Sequence, residues 1–219
     1  MDEEARPFLQ LGSHTPVEVP LGAAWRVEVE GRSIVVLRSG IGLVNAAAAT
    51  AAALTRLQPG VLVSAGSAGG LAEGILVGDI VIGTSFAYAD ADATGFGYAI
   101  GQVPGMPEFY TSDAALSSSA LSARSAGQRL RPGRIVSGNS FVDARTVERV
   151  RASFPGALAT DMESAALAQV AYLWGLPFLS VRGVSDLCGP HAGQDFHMSV
   201  EEVAGRAAHV VAHVVNRLG

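Results

Sequence analysis

The clearest indication of the fold is the stretch Pro177-Phe178-Leu179-Ser180-Val181-Arg182-Gly183-Val184-Ser185-Asp186. A short apolar run with little alternation is typical of a strand buried on both faces, as in a helix-covered parallel sheet. The run ends in the hydroxyl of Ser185 and the carboxylate of Asp186, at the edge where open α/β sheets bind ligands. We therefore take Asp186 as the candidate for the group that carries out the chemistry.

Length and composition predict one compact α/β domain, with a central twisted mixed or parallel sheet flanked by helices. The chain has 219 residues, of which 49% are hydrophobic, and its mean hydropathy is +0.32. No apolar run approaches the ~20 residues of a membrane span, so we expect no membrane partner. The acidic start, Met1 to Arg6, lacks the features of a secretory signal, and the single Cys188 allows no internal disulfide. A cytoplasmic location is the expectation.

The charged residues exclude several classes of function. All 15 basic residues are arginine, which removes Schiff-base and P-loop lysine chemistry. A net charge of -5 gives no field for gathering nucleic acid, so we expect no nucleic-acid partner. The small group Arg129, Arg131 and Arg134 is interpreted as a solvated turn between elements.

Hydrophobic periodicity and turn residues predict alternating strands and helices, with no internal repeat or linker. Residues 10–24 give no clear pattern, and the aromatics in the long connection at residues 87–111 favour a functional loop. The predicted elements are a helix at 1–9, a hairpin of strands 25–30 and 33–38 around Gly31-Arg32, a helix at 43–57, a strand at 61–65 entering a glycine-rich turn at 66–70, a strand at 77–82, a helix near 112–129, a strand at 134–138, helices near 144–153 and 161–174, the strand 177–186 and a helix at 199–218.

Other site classes are poorly supported. Neither glycine turn completes the G-x-G-x-x-G spacing of a dinucleotide site, and we expect no cofactor. His209 and His213 are four residues apart, but their apolar neighbours indicate an ordinary amphipathic helix, so we expect no metal site. Cys188 has no neighbouring base and is interpreted as a packed thiol.

Several motifs together resemble the nucleoside phosphorylase superfamily and, within it, the 5'-methylthioadenosine/S-adenosylhomocysteine nucleosidases. The resemblance covers nearly the whole chain in order. The motifs are Ser39-Gly40-Ile41-Gly42, Gly66-Ser67-Ala68-Gly69-Gly70-Leu71, Val77-Gly78-Asp79-Ile80-Val81, Phe96-Gly97-Tyr98, Gly101-Gln102-Val103-Pro104-Gly105, Ser137-Gly138-Asn139-Ser140-Phe141, Asp161-Met162-Glu163-Ser164 and Val184-Ser185-Asp186.

The resemblance implies hydrolysis of an N-glycosidic bond, with release of adenine. It implies that Asp186, with Ser185, protonates the purine N7 and that Glu4 activates water. It also implies a homodimer in which residues of one subunit complete the other subunit's site. The substrate-binding residues implied are Phe141 and Val142 at adenine, Met162 and Glu163 at the ribose, Phe96 and Pro104 at the neighbour's 5' substituent, and Ser67, Gly69 and Met1.

The chemistry requires these residue types. Breaking the bond builds positive charge on the ribose and negative charge on adenine, so a proton on the base and a carboxylate beside the sugar stabilise the transition state. A free Asp, with a pKa near ~3.9, would seldom hold that proton at neutral pH. Asp186 must therefore be buried, or be protonated through its ligand.

Three departures from the family pattern stand out. Family members carry a strand immediately before the acidic segment, whereas this chain begins at Met1, so either the start is assigned too late or the strand is lacking, and the placement of Glu4 is affected. Where the family usually has Ser-Gly-Asp, this chain has Ser137-Gly138-Asn139, with asparagine in place of the aspartate. The loop at residues 188–198 differs, and its lid residues are not assigned.

Three other functions stay open. Purine phosphorylases of the superfamily place an arginine where this chain has Ser64, which favours water over phosphate as the nucleophile. The same pocket could admit a related nucleoside such as aminodeoxyfutalosine, and the sequence does not rank 5' substituents. A catalytically silent nucleoside-binding module would result if Glu4 were misplaced. Product release with and without phosphate distinguishes these functions.

Overall fold

The computed structural model describes residues 1–123, 128–189 and 198–218. Its α-helices are α1 (Asp2–Leu9), α2 (Leu43–Leu54), α3 (Ala114–Leu121), α4 (Val147–Ser153), α5 (Ser164–Trp174) and α6 (Val200–Val215). Its strands are β1 (His14–Val17), β2 (Ala23–Val29), β3 (Arg32–Arg38), β4 (Leu62–Gly70), β5 (Ile80–Tyr88), β6 (Tyr110–Thr111), β7 (Leu130–Ser137), β8 (Ala157–Asp161) and β9 (Phe178–Asp186). This architecture confirms the predicted mixed α/β class.

Five strands of the main sheet close into a ring. The order is β5-β7-β8-β4-β9, and β9 pairs back onto β5 at Ile80–Gly83, while β6 pairs with β5 further along, at Ser85 and Phe86. Strands β5, β7 and β8 are parallel to one another, as are β4 and β9. The two groups meet antiparallel where Gly69 pairs with Thr160, near the carboxyl ends of both strands. Strand ends of both groups therefore converge at one place.

Strand β9 confirms the prediction of a strand buried on both faces, because all nine of its residues are buried. Phe178 and Val184 pack in a cluster with the α5 side chains, whereas Leu179 and Val181 pack with those of α6. Successive strand side chains point to opposite faces, so β9 is covered by a helix on each side. This packing on both faces fixes the position of Asp186, the last residue of β9.

The glycine-rich segment at residues 66–70 is the main correction to the predicted elements. It is not a turn but the second half of β4, paired with β9 and then with β8. Similarly, Val77–Asp79 is a turn around Gly78, whose φ is +88°, and β5 runs from Ile80 into the predicted loop. The hairpin turn is Glu30-Gly31, one residue earlier than predicted, since Val29 pairs with Arg32.

The three arginines near residue 130 do not form a solvated turn, so that interpretation was wrong. Arg131 and Arg134 lie within β7. Arg129 contacts the buried carboxylate of Asp79 at 2.5 Å. A buried carboxylate needs such a partner because charge is costly to desolvate.

A second sheet of three antiparallel strands, β1-β2-β3, lies beside the main sheet. Strand β1 falls in the region without a clear sequence pattern, because three of its four residues are exposed and carry no hydrophobic alternation. None of the helices among the described residues is long and apolar enough to cross a membrane.

Candidate active site

Arg182, in the middle of β9, is the charge at the centre of the site. Only 2% of its surface is exposed. Its Nε lies 2.9 Å from Asp161 Oδ2 and its Nη1 lies 3.5 Å from Glu163 Oε2. Its Nη2 donates to Ser64 Oγ at 2.6 Å. A guanidinium carries five donors in a fixed fork, so one arginine can hold several groups from different strands.

Asp161, at the end of β8, is the buried partner that orients the start of α5. Its Oδ1 accepts from Ser137 Oγ at 2.5 Å and from the Ser164 backbone N–H at 3.1 Å. Ser164 Oγ also donates to Oδ2. These bonds join β7, β8 and α5 at the position where Met162 and Glu163 follow the strand.

Glu4, on α1, is held against β4. Its Oε1 accepts from the backbone N–H and the hydroxyl of Ser67, both at 2.8 Å, and its Oε2 accepts from the Met1 α-amino group at 3.0 Å. A Cβ at Gly66 would lie 2.5 Å from Oε1, so this approach requires glycine. Glu4 is therefore held in place by contacts with β4 and with the start of α1.

Glu163 and Glu4 titrate in opposite directions. Burial alone would raise both pKa values. For Glu4, the Arg182 charge, the Met1 α-amino group and the Ser67 N–H outweigh burial and lower the pKa. For Glu163, burial together with the nearby charges of Asp161 and Glu4 keeps the pKa raised despite Arg182 and a 3.0 Å bond from the Gly42 N–H. The pKa of Glu4 thus lies below its ordinary value, and that of Glu163 lies above it.

Asp186 ends β9 as a buried carboxyl with 4% exposure. Its Oδ2 accepts from Ser185 Oγ at 3.1 Å and its Oδ1 accepts from the Cys188 N–H at 3.0 Å. Burial raises the pKa of Asp186, and these two donors only partly offset the shift. Asp186 is paired in register with Gly69, so it lies at the end of β4 that also carries Ser67. A carboxyl with a raised pKa suits a general acid.

The segment after β7 carries the aromatic candidate. Phe141 is 55% exposed, and the next residue, Val142, is buried in the same apolar cluster as Cys188. Asn139, at the position of the usual Asp, accepts from the Leu43 N–H at 3.0 Å with Oδ1 and so joins this segment to the start of α2. The exposed ring of Phe141 is free to stack on a ligand.

Not every predicted site residue joins this group. The structure links Met1, Glu4, Ser67 and Glu163 through their bonds or through Arg182, and it places Gly69 beside Ser185 and Asp186. Met162 is partly buried at the start of α5. Phe96, with 86% exposure, and Pro104 are exposed on the loop between β5 and β6, and neither takes part in the hydrogen bonds or ion pairs of this group. The candidate lid at 188–198 falls largely outside the described residues.

Sequence reasoning missed Arg182, Asp161 and Ser164. A signal was present, because a charged residue in a strand buried on both faces requires an ionic partner. The partners of Arg182 could not be identified from the sequence. Asp161 ends β8, 21 residues earlier, and Glu163 stands just before α5, 19 residues earlier. The described residues contain no group of three or more His, Cys, Asp or Glu side chains that could hold a metal ion. His209 and His213 lie on the amphipathic helix α6, as predicted.

The ring of mixed strands with carboxylates at converging strand ends places the chain in a known class. The sequence profile of the Phosphorylase superfamily matches residues 1–218, which defines that class. Among curated relatives, the 5'-methylthioadenosine/S-adenosylhomocysteine nucleosidase of Halalkalibacterium halodurans is 42% identical over 87% of this chain and 84% of its own length. That of Anoxybacillus flavithermus is 41% identical over 100% of this chain and 96% of its own length.

A solved structure agrees with the sequence relatives. The nucleosidase of the same name from Neisseria meningitidis, in complex with methylthio-immucillin-A, superimposes with a TM-score of 0.94 at 37% identity, covering 100% of this chain and 96% of that one. The chain belongs to the 5'-methylthioadenosine/S-adenosylhomocysteine nucleosidase family of the Phosphorylase superfamily.

Proposed function

We propose that the protein hydrolyses the N-glycosidic bond of 5'-methylthioadenosine and S-adenosylhomocysteine, releasing adenine and the 5'-thio-ribose. The curated relatives are named 5'-methylthioadenosine/S-adenosylhomocysteine nucleosidases, and the solved relative is in complex with methylthio-immucillin-A. The observation that carries the proposal is the opposite pKa shift of two carboxyl groups, one on Asp186 at the end of β9 and one on Glu4, which α1 holds against Ser67 of β4. Asp186 has a raised pKa and Glu4 a lowered one, which is how acid and base roles are divided between carboxyl groups.

Asp186 acts on the leaving base. Adenine stacks on the exposed ring of Phe141, and the Val142 backbone reads its edge. Asp186, with Ser185 bonded to Oδ2, delivers its proton to N7 as the bond to the ribose breaks. Protonated adenine leaves as a neutral base, so the negative charge that would develop on it is cancelled.

Glu4 acts on the nucleophile. Its carboxylate takes a proton from water as the water oxygen attacks the anomeric carbon of the ribose, and it also stabilises the positive charge on the sugar. Glu163, which contacts the guanidinium of Arg182, accepts hydrogen bonds from the ribose hydroxyls. Met162 lies beside it. Ser67 and Gly69 form the wall between Glu4 and Asp186, because both lie on β4: Ser67 is bonded to Glu4, and Gly69 is paired with Asp186.

The electrostatics favour water over phosphate. Arg182 is already surrounded by Asp161 and Glu163, and its charge also acts on Glu4, so three carboxylates share one guanidinium. Ser64 stands at the position of the phosphate-binding arginine of phosphorylases, and its hydroxyl is occupied by Arg182. A phosphate dianion placed here would be repelled, since like charges within a few ångströms are costly.

We therefore expect adenine release from methylthioadenosine to proceed at the same rate in phosphate-free buffer and in phosphate, at matched ionic strength. The sugar product should be the free 5'-methylthio-ribose. Adenine and sugar are quantified by chromatography, with a purine nucleoside phosphorylase as the positive control for phosphate dependence. A requirement for phosphate, with a ribose 1-phosphate as product, would overturn the hydrolase assignment.

We also propose a homodimer with shared active sites. Large apolar side chains are exposed on the described part of the chain, at the start of α2, at the end of α5 and on the loop between β5 and β6. They include Val44, 73% exposed, and Phe96, Phe109, Tyr172, Leu173 and Trp174. Exposed apolar side chains that a partner covers mark interaction sites in stable proteins. In the two-fold dimer that we propose, each subunit uses the same face, and Phe96 and Pro104 enter the partner's 5'-substituent pocket.

Mixing two variants of low activity tests the shared site. Phe96→Ala should lower kcat/KM of the homodimer about tenfold by removing an apolar contact to the substrate. In a heterodimer with an Asp186→Asn chain, one site carries both defects and the other neither. Random mixing should therefore restore about a quarter of the wild-type activity. Activity is measured after joint refolding at substrate concentrations below KM.

The matched control mixes Asp186→Asn with Glu4→Gln. Both residues belong to the same protomer's site, so every heterodimer site keeps one defect and no activity should return. Recovery in the control, or a fully active monomer in sedimentation at micromolar concentration, would contradict the shared arrangement.

The remaining expectations belong to the same proposal. Residues 1–219 act as one nucleosidase domain, in line with the family match over residues 1–218. The buried, unpaired Cys188 suits a reducing cytoplasm. Release of adenine and a thio-ribose there suits methionine salvage.

A further inference from the structure

Cys188 lies two residues beyond the candidate acid and has no role in the mechanism above. It is 1% exposed and adopts a positive φ of +56°, which non-glycine residues seldom do. This backbone conformation turns its N–H back onto Asp186 Oδ1, at 3.0 Å. A left-handed residue costs free energy, and such conformations concentrate where the geometry serves a function.

The thiol points to the same place as the N–H. A Cβ added to Gly69 would lie 2.5 Å from Cys188 Sγ and 3.3 Å from Asp186 Oδ1, so the sulfur and the carboxyl oxygen converge on the space that this glycine leaves open. The sulfur is held there by the apolar cluster that also contains Val142. Burial and the neighbouring Asp186 raise the pKa of the thiol to about 12, so the thiol keeps its proton and is available as a hydrogen-bond donor.

We propose that Cys188 is a positioning residue for Asp186, whose N–H and S–H both donate to the Oδ1 region of the carboxyl and thereby keep the transferable proton on Oδ2. An oxygen that accepts from two donors is the poorer place for a proton. Oδ2 is also the oxygen that contacts the Ser185 hydroxyl, which can rotate to accept from a protonated carboxyl. The proposal rests on the proposed function, since it concerns the acid of that reaction.

Removing the thiol should change the titration of Asp186 in a defined direction. The S–H stabilises the carboxylate, so its loss in Cys188→Ala should raise the pKa of Asp186. Because the acid must be protonated, the alkaline limb of kcat/KM should move up by about 0.5 pH unit, as expected for one weak donor to a charged group. Cys188→Ser supplies a stronger donor of similar size, so its limb should lie at or below the wild-type position.

Cys188→Gly separates the backbone from the thiol. It relieves the positive φ, so its melting temperature should exceed that of Cys188→Ala. Its alkaline limb should nevertheless match that of Cys188→Ala, since both lack the S–H. The pKa of Asp186 is also read directly from the pH dependence of its carboxyl ¹³C signal in the free enzyme, assigned by its loss in Asp186→Asn.

The outcomes distinguish this proposal from the proposed function. A limb raised above wild type in Cys188→Ala, with the Cys188→Ser limb at or below wild type, in kinetics and in the ¹³C titration, supports the positioning role. A Cys188→Ala limb that is not raised, or a Cys188→Ser limb that is raised as well, would show that Cys188 only packs. Absence of adenine release by the wild-type protein would instead refute the hydrolase, while the ¹³C titration would still report on the Cys188–Asp186 contact.

Discussion

Asp186→Asn should lower kcat by at least ~10²-fold, the lower end for removal of a positioned general acid. Asparagine keeps the shape and accepts the same bond from the Cys188 N–H, but it has no proton to transfer to the base. Substrate affinity should change only a few-fold, because Phe141 and Glu163 are untouched. Adenine release in single turnover and nucleoside binding by calorimetry measure the two effects separately.

Stability provides an internal check on this variant. Asp186 is buried and its raised pKa means that ionisation is disfavoured in the folded state. At neutral pH the neutral asparagine should therefore be at least as stable as aspartate, and the melting temperature should not fall. Asp113→Asn is the matched control, since Asp113 caps α3 outside the site and asparagine caps equally well. Near wild-type turnover in Asp186→Asn would remove Asp186 from the role of acid.

Glu4→Gln is expected to cost a similar factor, at least ~10²-fold in kcat, because glutamine can keep the contacts to Ser67 but cannot take a proton from water. Glu3→Gln is the matched control: it makes the same chemical change one residue earlier on α1, where the side chain is exposed. The control should retain wild-type kinetics. Equal loss in both variants would indicate that α1, rather than the Glu4 carboxylate, is responsible.

The fall of activity at low pH should depend on the protonation of Glu4. The base must be ionised, and the pKa of Glu4 is lowered from its ordinary value of 4.5, since Arg182 and its other partners outweigh burial. The decline in activity that Glu4 causes should therefore begin only below pH 4.5, as the pH falls through the lowered value. The stability that Glu4 contributes by the same shift is present above 4.5 and is lost over the same lower range. An acid limb above 4.5 that Glu4→Gln abolishes would contradict the lowered pKa.

Much of the fold follows from local patterns in the sequence. The apolar run at residues 177–186 predicted β9, and the structure buries every residue of β9. The sequence also predicted α1, α5 and α6. Amphipathic spacing supported α6, because such spacing is a property of adjacent turns and needs no knowledge of the partner. The motif order identified the family, and it named Asp186 and Glu4 before any geometry was known.

The tertiary structure decided what depends on distant neighbours. The glycines after Ala65 were predicted as a turn, yet pairing with β8 and β9 makes them a strand, because glycine's local freedom leaves the outcome to its partners. The grouping of Glu4, Asp161 and Glu163 around Arg182 arises only when α1, β8 and β9 pack together. The opposite pKa shifts of Glu4 and Glu163 exist only there, since desolvation and charge act over a few ångströms of space rather than along the sequence.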